Sequence, residues 1–151
     1  MAEIFPDEGL DYLLNIAVGG GTPDTTLFLG LFTSQTPSTV PARTATGGAA
    51  PSGWTEMAAS SGTYARQAVA TSDWGAPATN GNGRRRTLSA PEVFSGFIGA
   101  AAANGFFLAT NPQSEAGDTI LYFANFDSLT ARTFAALLDE LNLTARIQFD
   151  G

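Results

Sequence analysis

Seven arginines carry all the basic side-chain charge of this chain, and three of them stand together as Arg84-Arg85-Arg86. Guanidinium groups hold carboxylates and phosphates through paired, charge-assisted hydrogen bonds. The run sits in a chain with 14 carboxylates and a formal net charge of −7. Its chemistry is ion pairing, with three possible partners: a carboxylate-rich protein surface, phosphates, or carboxylates of the chain itself. The net charge weighs against nucleic acid and against an anionic membrane. Docking to protein and pairing within the chain remain the favoured readings of Arg84, Arg85 and Arg86.

The chain contains no His, no Cys and no Lys. His is the side chain whose ordinary pKa lies near neutrality. Cys and Lys supply most other activated nucleophiles, and His and Cys the nitrogen and sulfur metal ligands. Triad hydrolases, thiol enzymes, zinc enzymes and Schiff-base enzymes are therefore excluded. A glycosidase working with carboxylates alone needs two of them about 5 to 9 Å apart in a cleft. Asp139-Glu140 are adjacent and point to opposite faces of a strand, so they suit a turn instead. Asn111, Gln113, Glu115 and Asp118 offer oxygen ligands for Ca²⁺, but their spacing matches no calcium loop. Asn80-Gly81-Asn82-Gly83 lacks the Lys of a phosphate-binding loop and reads as a turn. No catalytic residue, cofactor or metal is expected, and the chain is read as a non-enzyme.

A length of 151 residues fits one domain, residues 1–151, large enough to fold on its own core. Hydrophobic residues make up 44% and aromatics 11%, so the chain is not a disordered one. Charged residues are only 14%, against roughly 25% in a typical soluble domain. A surface this poor in charge suits packing against other protein. Neither a signal peptide nor a membrane span is expected, because the first residues are acidic and no apolar run is long enough.

The elements that must position these residues follow from pattern. Pro6, Asp7 and Glu8 suit a helix start, and Leu10, Leu13, Leu14 and Ala17 make one apolar face. Gly19-Gly20-Gly21 ends the helix, expected over about 6–18. It either closes the core or docks on a neighbouring subunit. Thr25 to Ser34 is an uncharged, apolar strand buried on both faces. Residues 35–61 hold Pro37, Pro41, Pro51 and Gly47-Gly48 and read as an extended arm, with Trp54 and Met57 as anchors. Thr63–Ala70, Arg84–Ala90, Val93–Ile98, Gly105–Thr110 and Thr119–Phe126 read as strands, with Leu88 and Ala90 facing inward. Phe28, Phe32, Phe106, Phe107, Phe123 and Phe126 are assigned to the core. Thr130–Leu141 has helical propensity, whereas Leu141 to Phe149 alternates as one half-buried strand.

Several of these segments resemble small structural proteins of tailed bacteriophages, of the decoration, minor virion or tail-fibre-like kind. The resemblance is carried by Ile4 to Leu14 with Leu27 to Thr33, by Tyr64 to Val69, Asn104 to Leu108 and Leu121 to Phe126, and by Leu138 to Ile147. Leu138 stands where the corresponding turn usually has Gly. The resemblance implies a virion role, a β-sandwich and no catalytic residue. It also favours strand–turn–strand over helix across Thr130–Leu141.

Together these readings predict a mainly β fold. It is an antiparallel, jelly-roll-like β-sandwich of roughly six to eight strands, with one N-terminal helix and the long arm outside the core. The expected function is a capsid decoration or cement protein that stabilises the assembled head. Its partners would be the major capsid protein or other virion subunits, with no nucleic acid and no membrane. The symmetry of a shell favours a homo-oligomer, and a trimer is the expected state. The interface is assigned to Arg84, Arg85, Arg86 and Trp54. A tail or baseplate component is the alternative within the class. A carbohydrate-binding module for host recognition is the alternative outside it, with Trp54, Trp74 and Tyr64 as its platform.

Overall fold

The computed structural model describes residues 3–35, 54–57, 64–81, 83–97, 101–113, 118–126, 132–134 and 139–149. These residues form a mainly β, antiparallel, sandwich-like fold with one helix near the N-terminus. In chain order the elements begin with β1 (Glu3–Ile4), α1 (Asp7–Ala17), β2 (Thr26–Gln35), β3 (Trp54–Glu56), β4 (Gln67–Ala70), β5 (Ala78–Asn80) and β6 (Gly83–Thr87). They continue with β7 (Glu92–Phe94), β8 (Ala101–Ala103), β9 (Gly105–Ala109), β10 (Ile120–Asn125), β11 (Arg132–Phe134), β12 (Leu141–Leu143) and β13 (Arg146–Phe149).

The helix forms where Pro6 and the acidic first turn favour it. It ends where the Val18 and Gly19 amides both donate to the Leu14 carbonyl, followed by Gly20 at φ +72°. The expected leucine face is only partly used. Leu14 is 58% exposed and Ala17 is also exposed. Gly9 is the buried position, set against the Leu121 backbone of β10. The absence of a Cβ lets the helix approach the sheet at that point.

The central sheet has the order β1-β10-β9-β2-β3, and β4 also pairs with β2. Strand β2 is long enough to serve two partners on one side. Thr26 to Leu29 pair with β4, while Phe32 to Gln35 pair with β3. On its other side Phe28 to Phe32 pair with β9. Two cross-strand pairs set an aromatic ring over a glycine: Phe107 over Gly30, and Phe32 over Gly105. Both glycines therefore have a packing reason inside a strand.

Period-two alternation sorts this sheet into two faces. Leu29, Leu31, Phe106, Leu108 and Tyr122 join the larger core, with Phe94, Phe134 and Leu143 from the smaller sheets and Phe97 from the segment after β7. Phe97 and Phe134 stack there with ring centroids 4.0 Å apart. The opposite face carries Phe32, Phe107, Ile120 and Phe123, all buried. The aromatic core expectation holds for Phe32, Phe106, Phe107, Phe123 and Phe126, and Phe28 is half-buried.

The smaller sheets are β11-β8, β12-β7 and β13-β6-β5. Their short ladders make the strands more numerous than the segment count suggested. The single strand expected over Leu141 to Phe149 is two strands, because β12 pairs with β7 and β13 with β6. The strand expected over Arg84–Ala90 ends at Thr87; Leu88 is buried and Ala90 exposed. Arg132–Phe134 is strand, whereas 127–131 and 135–138 lie outside the described residues. Of the arm, 36–53 and 58–61 also lie outside them. Trp54–Glu56 belongs to the central sheet instead of an arm, and Met57 is buried. Among the described residues no helix is long and apolar enough to cross a membrane.

Candidate partner-binding face

The arginine run is the body of β6, the middle strand of its sheet. The Asn80–Gly83 turn builds it: Asn80 pairs with Gly83, and Gly81 takes φ +56°. A glycine adopts that angle without strain, which is why this sequence makes a tight hairpin. Register then fixes where each arginine points. Arg84 lies opposite Phe149 and Arg86 opposite Ile147, while Arg85 lies opposite Gln148. Cross-strand partners share a face. Arg84, Arg86, Ile147 and Phe149 therefore occupy one face, and Arg85, Thr87, Arg146 and Gln148 the other. The three arginines are not one patch on a loop edge; alternation divides them two to one.

Each face borders a cavity. The first, of about 410 Å³, lies between α1, the central sheet and the face of Arg84 and Arg86, and Arg85 also reaches its wall. Its wall is almost wholly apolar, with Phe5, Leu27, Trp74, Leu108, Ile147 and Phe149 prominent. Phe149 stacks on Phe5 with centroids 4.4 Å apart. The second, of about 330 Å³, is more polar and includes Arg85, Thr87, Asn125 and Arg146. The Nε of Arg146 is buried there without a hydrogen bond.

Arg84 and Arg86 are exposed and Arg85 is half-buried. Arg84 makes only long contacts, 3.4 Å to the Thr79 hydroxyl and 3.5 Å to the Pro77 carbonyl. Among the described residues none of the three meets a carboxylate; the ion pairs belong to Arg66. Pairing within the chain, the bland reading of the run, is thus not found there. Trp54 is placed elsewhere, on β3 at the edge of the central sheet, so its strand and the arginines share no sheet. Of the residues considered for a saccharide platform, two are largely buried. Tyr64 and Trp74 are each 9% exposed, and the side chain of Trp54 lies outside the described residues.

A second charged cluster escaped the sequence reading. Arg66 is 7% exposed. Its Nε and Nη2 donate to the two oxygens of Glu56 at 2.8 and 2.9 Å. Its Nη1 donates to Asp118 at 2.9 Å and to the Asn111 carbonyl at 2.8 Å. The guanidinium also sits 4.9 Å from the centroid of Phe107. Tyr64 donates to Glu56 and accepts from the Leu31 amide. Burial, reinforced by Glu56, pushes the Tyr64 hydroxyl far above its ordinary pKa, so it stays a donor. Burial also raises Asp118, and the nearby Glu56 charge adds to it, so that together they outweigh the lowering by Arg66 and the Asn111 amide. For Arg66 burial acts the other way, but its two carboxylates outweigh it and the charge is retained.

This cluster joins β3, the residues before β4 and both ends of the β9–β10 connection. It brings two carboxylates together, and both are tied to Arg66; Glu8 of α1 lies near enough to Asp118 for the two charges to repel. Asp118, one of the oxygens considered for a metal, is committed to Arg66 and the Asn111 amide; Glu115 lies outside the described residues. A hint was present in the sequence: Arg66 is the one charged residue of a strand-like segment, Thr63–Ala70. Its partners lie 10 and 52 positions away, so nothing local identified them. Comparison with protein-family models, curated proteins and solved structures finds no match.

Proposed function

We propose that this chain is a non-enzymatic structural protein of a bacteriophage virion, a decoration or cement protein on the capsid surface. The observation that carries the reading is a strand of arginines that meets no carboxylate among the described residues, in a chain of net charge −7. Guanidinium groups presented from a sheet suit a carboxylate-bearing protein surface. The residue inventory, without His, Cys or Lys, supports assembly over catalysis. The partner proposed is the major capsid protein or another virion subunit, and the protein is proposed to act as a homo-oligomer, a trimer. A domain that binds only the assembled shell stabilises it by mass action at every equivalent site.

The test is incorporation into particles. Replacing Arg84, Arg85 and Arg86 together by Ala should leave the domain folded and cut its occupancy on particles by tenfold or more, with a weaker dependence on salt. Full occupancy of the triple variant would overturn the arginine interface. Absence of the protein from purified virions would overturn the virion role itself. Copy number then separates a head protein, present in hundreds, from a tail component, present in about a dozen or fewer.

A further inference from the structure

We propose that the apolar cavity between α1 and the two sheets is a binding site for a small amphiphilic anion, with the apolar body inside and the anionic head at Arg84 and Arg86. This inference is independent of the virion reading. The cavity of about 410 Å³ falls within the range of about 300 to 1,000 Å³ usual for small-molecule sites. Its wall is drawn from the helix and from two sheets, so that a ligand would be held in a partly open cleft.

The polar groups on the wall decide the ligand class. The Tyr12 hydroxyl donates to Asp24 at 2.9 Å and accepts from the Asp24 amide. The Thr71 hydroxyl donates to the Thr25 carbonyl, and the Tyr122 hydroxyl to the Arg146 carbonyl. Each hydroxyl on the wall is therefore already engaged, which leaves little for a sugar or another many-hydroxyl ligand. The donors that remain are the guanidinium groups of Arg84, Arg85 and Arg86 and the single indole N–H of Trp74, so the wall's charge is cationic, and no carboxylate lines the cavity among the described residues. Register sets Arg84 and Arg86 on the cavity face, opposite Phe149 and Ile147. Apolar floor and cationic rim are thus built by the same pair of strands. A carboxylate or a phosphate monoester on an alkyl or aryl body satisfies both.

The test is calorimetric titration of the full chain with decanoate, decyl phosphate, decanol and decyltrimethylammonium, each below its micellar concentration. Decanoate or decyl phosphate should bind at least tenfold more tightly than decanol, and the ammonium should bind no better than decanol. Which of the two anions binds more tightly identifies the head group. The exposed double variant Arg84→Gln/Arg86→Gln, which leaves only Arg85 on the wall, should weaken anion binding by at least fivefold while leaving decanol unchanged. Leu13→Trp, which puts bulk into the cavity from the helix, should weaken every probe. Equal binding of the ammonium and the anions, anion binding untouched by the double variant, or no binding of any probe would each overturn the site. Loss of particle occupancy without change in these affinities would leave it standing.

Discussion

Arg66 is the residue on which the most structure depends. Its five donors are matched almost completely by Glu56, Asp118 and the Asn111 carbonyl. Removing one partner from a buried ionic cluster leaves the others as uncompensated charges. Arg66→Ala should therefore cost about 3 to 5 kcal/mol, measured by urea denaturation; a loss below about 1 kcal/mol would show that the cluster is solvated. The contrast with Arg84–Arg86 shows what residue-scale reading can reach. A dense run of charge is visible in one dimension. A lone arginine whose partners come from distant segments is not, because its environment is made only by pairing β2 with β3 and β9 with β10.

At the scale of elements, long apolar strands were legible and short ones were not. β2, β9 and β10 are uncharged and apolar over five residues or more, so their periodicity is unambiguous. The three-residue ladders of β7, β8, β11 and β12 depend on which partner lies beside them. That is tertiary information. The helix was legible from its start and stop signals, but its docking face was not: the leucine stripe yields to Gly9. Gly→Ala inside an exposed helix stabilises by about 1 kcal/mol. Gly9→Ala should do the reverse, since its Cβ would strike the Leu121 backbone of β10. Thermal unfolding of Gly9→Ala should show a lower midpoint than the parent chain, and a higher one would mean that the helix does not dock there.

Across the whole molecule, the fold class followed from the alternation of short apolar segments with turns, and the low charge content pointed to packing on a partner. Electrostatics at this scale gives a pH dependence of unusual sign. Burial raises Asp118, and burial together with Asp118 and Asp11 raises Glu8. A carboxyl with a higher pKa in the native state binds protons more tightly there than in the unfolded chain. Its contribution to stability is present below the ordinary carboxylate range and is lost as pH rises through the raised native value. Relief of the net charge of −7 acts in the same direction. The thermal midpoint should rise as pH is lowered from 7 toward about 4.5, and Glu8→Gln should flatten part of that slope. A midpoint that falls steadily over this interval would contradict the assignment.

The double pairing of β2 has a consequence in time. A ribosome makes about 5 to 20 residues per second. β2 is complete at Gln35, but its partner across Phe28–Phe32 begins only at Gly105. For several seconds each new chain therefore presents an uncharged, aromatic strand whose central hydrogen-bonding edge has nothing to pair with. Neighbouring nascent chains present the same strand. Yield during synthesis should be governed by how quickly the segment through β9 emerges: slowing elongation between β2 and β9 lengthens the vulnerable interval, and slowing it after β9 does not.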